Sequence, residues 1–123
     1  MANSSVMYGN YESLEVWQLA HKLVKEIYIV TKDFSPDERF GLTSQIRRSA
    51  VSIPNNLAEG SMRLNAGDFR KFVSIARGSC GETQYLLLLS YDLKYITKQR
   101  QLELSEYCVR IGKMLTKLYQ SLN

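Results

Sequence analysis

Apolar residues recur at spacings of three and four through most of this chain, and no stretch reads convincingly as a strand. The first helix is predicted from about Ser13 to Asp33, with Ser13 as N-cap and Glu15 in the first turn. Its main apolar stripe is Trp17, Ala20, Val24, Ile27, Tyr28 and Thr31, which Phe34 continues. A second stripe, Val16, Leu19, Leu23 and Val30, predicts more than one packing neighbour and suits contact with another subunit. Ser35-Pro36-Asp37-Glu38 reads as the next helix start. Ser35 caps, Pro36 takes the first position and Glu38 returns the capping-box bond. This second helix runs through Gly41 to about Met62 or Arg63 and buries Leu42, Ile46, Ser49, Ala50, Ile53 and Leu57. Pro54 cannot donate to the carbonyl of Ala50, so a bend is expected there, with Asn55 and Asn56 satisfying freed carbonyls.

Asn65 caps the third helix, which carries Phe69, Phe72, Val73, Ala76, Thr83 and Ser90 inward and ends near Tyr95. Gly78 and Gly81 each weaken a helix interior by roughly 1 kcal/mol, which predicts a close helix crossing around Ser79. After a short polar linker, Lys98–Gln101, the fourth helix shows an a/d seam of Leu104, Cys108, Ile111, Leu115, Leu118 and Leu122. Arg110, Lys113 and Lys117 face away from it. The fold class is therefore all-α. Residues 11–123 form one antiparallel up-down-up-down four-helix bundle, bent near Pro54, behind a disordered N-terminus at 1–10.

Composition adds three limits. The chain of 123 residues is 45% hydrophobic and 23% charged, an ordinary globular balance. Cys80 and Cys108 form no C-x-x-C pair and fall on apolar stripes, which predicts reduced thiols in a cytoplasmic protein. The longest strongly apolar run, Tyr85–Leu89, cannot span a bilayer, and the N-terminal residues do not read as a signal peptide, so no membrane is expected.

Charge points to a partner. The net charge is +4, yet seven cations stand against two carboxylates between Arg39 and Arg77. Arg47, Arg48, Arg63, Arg70, Lys71 and Arg77 are thus candidate phosphate-binding residues. One continuous basic face would favour nucleic acid. Dispersed or ion-paired arginines would favour a protein-interaction module, the alternative reading. Pro54, Asn55 and Asn56, with Val16, Leu19 and Leu23, are candidates for a kink or an oligomer interface. The lone His21 has no partnered nucleophile, and the Glu-x-x-His pairs of bundle metal sites are missing, so neither enzyme activity, metal nor cofactor is expected. The numerous tyrosines read as packing rather than base-stacking residues.

Two segments carry a resemblance. Leu14-Glu15-Val16-Trp17-Gln18 and the run from Arg39 to Gly60, ending SIPNNLAEG, resemble the bacterial four-helix bundle proteins encoded in intervening sequences of 23S ribosomal RNA genes, also called the S23 ribosomal protein family. Phe69-Arg70-Lys71-Phe72 and Ala76-Arg77-Gly78-Ser79 fit the family's third helix, and the likeness covers roughly Tyr11 to Leu122. The resemblance implies a ring-shaped pentamer. It also implies a distant similarity to the accessory variability protein of diversity-generating retroelements, which binds nucleic acid and a reverse transcriptase. It implies no catalytic activity. The expected function is a non-enzymatic homo-oligomeric scaffold that contacts RNA or DNA mainly through phosphates.

Overall fold

The computed structural model describes residues 9–122, so the part of the expected loose N-terminus at 1–8 lies outside the described residues. Four α-helices dominate: α1 (Glu15–Thr31), α2 (Leu42–Ser61), α3 (Ala66–Asp92) and α4 (Lys98–Ser121). They form an all-α bundle, with no strand among the described residues. Each helix packs on two neighbours, α1 on α2 and α4, and α3 on α2 and α4.

The ends of the helices depart from the sequence expectation in instructive ways. Ser13 is not the cap of α1. It closes a single 3-10 turn, Tyr11–Ser13, where its hydroxyl donates to the Asn10 carbonyl, and Leu14 takes the cap position without a side-chain bond. Ser35 and Pro36 do start a helical turn, but it ends after Glu38. Glu38 then caps the next helix instead of its own: Oε1 accepts from the Leu42 amide at 3.2 Å and Oε2 from the Tyr95 hydroxyl at 3.1 Å. α3 stops three residues earlier than predicted. Lys94 sits at φ 67, and the Tyr95 and Lys94 amides donate back to Ser90 and Tyr91, a Schellman ending without glycine. The expected linker Lys98–Gln101 is already helix, because Thr97 accepts from the Arg100 amide and caps it.

The core lies where the periodicity placed it on α2, α3 and α4. Ile46, Ile53, Leu57, Phe69, Leu87, Leu104, Ile111 and Leu115 are wholly buried. Leu118 and Phe72, both expected inward, are only half-buried. On α1 the inward stripe is a blend of the two predicted ones: Val16, Ala20, Leu23, Ile27 and Thr31. Val16 and Leu23 are thereby spent on this chain's own core and leave no surface for a second subunit, whereas Leu19 stays half-buried. α2 and α3 are tied to each other by paired hydroxyls. Ser49 meets Thr83 at 2.9 Å and Ser52 meets Ser79 at 2.8 Å, hydroxyl to hydroxyl. Further along, a Cβ on Gly60 would lie 2.7 Å from Phe72 Cβ. Pairing 49 with 83, 52 with 79 and 60 with 72 means that these helices run in opposite directions. The small residue that permits the approach is Gly60. Gly78 and Gly81 do not serve it, since a side chain on either would meet nothing within 4 Å.

α2 stays helical through Pro54. Pro54 is buried, and Asn55 is exposed. Asn56 donates to the carbonyl and hydroxyl of Ser52 at 2.7 and 2.9 Å, not to the Ala50 carbonyl that proline leaves unbonded.

Candidate functional site

The six predicted phosphate-binding residues do not share one face. Arg47 lies between α1 and α2, where its Nε donates to Thr31 Oγ1 at 2.8 Å and its guanidinium covers Tyr28 at 4.6 Å. That contact ties two helices together. Arg48, one residue on, points the other way into a polar cleft of about 540 Å³ between α2 and α3, opposite Glu82. Arg63 pairs with Glu59 at 2.9 Å and lies over Phe72. Lys71 is highly exposed and 3.9 Å from Asp68. Only Arg70 and Arg77 are brought to a common surface, the side of α3 that faces α4.

That surface is a cleft. Its larger part, about 570 Å³, is lined by Arg77, Cys80, Gly81 and Gln84 from α3 and by Cys108, Gly112, Lys113, Thr116 and Lys117 among others from α4. A smaller recess of about 260 Å³ continues past Arg77 and Thr116 to Tyr119. Arg70 stands over the Tyr119 ring at 4.2 Å. No carboxylate lines either part. Among the described residues Arg77, Lys113 and Lys117 form no ion pair, whereas Arg63, Lys71 and Arg100 do. Arg77 is held in place: Nε donates to Thr116 Oγ1 at 2.9 Å, and that hydroxyl donates in turn to the Gly112 carbonyl at 3.0 Å. Three cations with no counter-charge among the lining residues give this cleft a positive field.

Cys80 and Cys108 sit at the base of the cleft and are buried as free thiols. Burial pushes Cys80 up to about 12, against a smaller downward pull from Arg77. Burial also raises Cys108 to about 12, and neighbouring Cys80 adds to the rise. Thiols held this far from ionisation are packing groups rather than nucleophiles. No group of three His, Cys, Asp or Glu side chains suited to a metal occurs among the described residues.

A family model described as 23S rRNA-intervening sequence protein matches residues 12–117. The chain belongs to that family. A crystal structure of a protein of unknown function from the S23 ribosomal protein family of Bacteroides thetaiotaomicron, at 1.70 Å resolution, superposes with a TM-score of 0.78. It is 26% identical in sequence and covers 85% of this chain and 97% of its own. No curated protein matches. The two segments that signalled the 23S rRNA-intervening sequence family meet in space. Trp17 stacks on His21 at 4.9 Å and edges Tyr11 at 5.2 Å, and all three line a small cleft with Val51, Pro54, Asn55 and Ala58 of α2. These two segments thus mark the α1–α2 contact, while the third-helix motifs of the resemblance carry Arg70 and Arg77 to the opposite pair of helices. Lys113, Thr116 and Lys117 were absent from the predicted site. Their spacing of three and four was visible, but it reads equally as a solvated helix face until α3 supplies Arg77 across from it.

Proposed function

We propose that this chain is a non-enzymatic, homo-oligomeric scaffold that holds RNA or DNA through its backbone phosphates. The observation that carries the reading is the α3–α4 cleft, with Arg77, Lys113 and Lys117 unpaired and no carboxylate in its lining. Phosphate contacts of this kind bring affinity and little sequence preference. Assembly is a separate part of the reading. Phe40 is 88% exposed, Leu64 100% and Ile75 52%, which is much apolar surface to leave in water. A ring of subunits, a pentamer by the family resemblance, would cover some of it, and light scattering at micromolar concentration is expected to show a species several times the 14.1 kDa chain mass. A monomer would remove that part.

Binding is tested by fluorescence anisotropy with generic RNA and DNA oligonucleotides across a salt series. The wild type is expected to bind at low salt and to weaken steeply as salt rises. The triple variant Arg77→Ala, Lys113→Ala, Lys117→Ala is expected to lose at least tenfold in affinity. Its salt slope should fall by about 0.7 for each lost contact to a single strand or about 0.9 for a duplex. Arg48→Ala is expected to change neither. Wild-type protein that binds no RNA or DNA at low salt contradicts the reading and favours the protein-interaction module.

A further inference from the structure

We infer that the α3–α4 cleft accepts a single strand of nucleic acid in preference to a duplex; this rests on the phosphate-binding reading above. Three observations point the same way. First, the cations flank a recess instead of standing on a ridge. Arg77 reaches it from one wall and Lys113 and Lys117 from the other. Proteins that take hold of a duplex commonly push an element into its groove, and these cations sit on no such projection. A single strand can lie in the recess with phosphates toward both walls. From Arg70 to Gln84 the wall of α3 rises about 21 Å, enough for several nucleotides.

Second, the space above the cysteine base has been kept bare. Gly81 and Gly112 line the cleft from opposite helices, and a side chain on either would touch nothing within 4 Å. Glycine weakens a helix interior, and here no neighbouring element moves into the space it leaves. The vacated volume is therefore available to something outside the fold. Third, an aromatic ring stands at the end of the cleft beside the cations. Tyr119 is 38% exposed and carries the Arg70 guanidinium on its face. Rings and guanidinium planes stack unpaired bases, which a duplex does not offer.

The test compares a short oligonucleotide with its own duplex, as RNA and as DNA, at low salt by anisotropy. The wild-type protein is expected to bind the single strand at least tenfold more tightly. Gly81→Leu with Gly112→Leu puts side chains into the open cleft and should cost at least tenfold on the single strand, with helical content by circular dichroism and thermal midpoint no lower than wild type. Should that variant fold poorly, Tyr119→Leu serves instead, with an expected loss of about tenfold that Tyr119→Phe restores. A duplex bound as tightly as the single strand would overturn the inference and leave phosphate binding standing. Filled-cleft or Tyr119→Leu protein that is well folded and binds the single strand like wild type would also overturn it. No binding to either form would sink the underlying reading as well.

Discussion

Lys94 is the residue at which sequence reasoning most plainly ran out. Its φ of 67 ends α3, yet lysine sends no termination signal, so the helix was expected to continue to Tyr95. The left-handed conformation costs an L side chain roughly 1–2 kcal/mol, and glycine removes that cost. Lys94→Gly is therefore expected to stabilise the fold by about 1 kcal/mol, read as a higher midpoint in denaturant. The glycines invert the same logic. Gly60 faces Phe69 and Phe72 at 3.0 and 2.7 Å from a hypothetical Cβ, so Gly60→Ala should cost about 1–3 kcal/mol by overpacking. Gly78 meets nothing, so Gly78→Ala should add up to about 1 kcal/mol. Sequence alone treated Gly78 and Gly81 as crossing points, because a glycine's use is set by what stands opposite it. Cys80 and Cys108 give a pH prediction. Both thiols sit at about 12 in the folded chain against 9.0 ordinarily, so the unfolded state loses those protons first. Their contribution is thus intact below pH 9 and declines between pH 9 and 12. Replacing both with Ala should flatten that part of the stability profile, and equal slopes for variant and wild type would contradict it.

At the scale of elements, periodicity placed α2, α3 and α4 correctly because each has one dominant apolar face. α1 was harder, since two stripes of similar strength flank its buried line and only the neighbours decide between them. Leu115 is wholly buried in the seam of α4. Leu115→Ala is expected to cost roughly 2–5 kcal/mol, and an unchanged midpoint would put the wrong face inward. The hydroxyl pairs between α2 and α3 were not legible at all, as Ser and Thr on a core face read only as small residues. Thr83 Oγ1 meets Ser49 Oγ and donates to the Ser79 carbonyl. Thr83→Val keeps the shape and should cost about 0.5–1.5 kcal/mol through the lost hydrogen bond, since Ser49 keeps the Ile46 carbonyl as its acceptor. The cost should shrink in a Ser49→Ala background, which a double-mutant cycle would read.

For the whole molecule, the charge count found a basic excess on the middle of the chain, which the fold distributes over different faces. Linear clustering from Arg39 to Arg77 spreads over more than one side of the bundle, and three of the six candidate residues, Arg47, Arg63 and Arg70, lie over aromatic rings. The surface proposed for nucleic acid emerges only when α4 is set beside α3, which adds Lys113 and Lys117 to Arg70 and Arg77. The central claim is that this one side holds the nucleic acid. A backbone amide NMR titration with a short single-stranded oligonucleotide tests it directly. The account predicts that the shifted and broadened resonances fall between residues 70 and 84 and between 109 and 120, and that α1 stays quiet. Shifts concentrated instead around Trp17, His21 and Pro54, or no shifts at any residue, would contradict it.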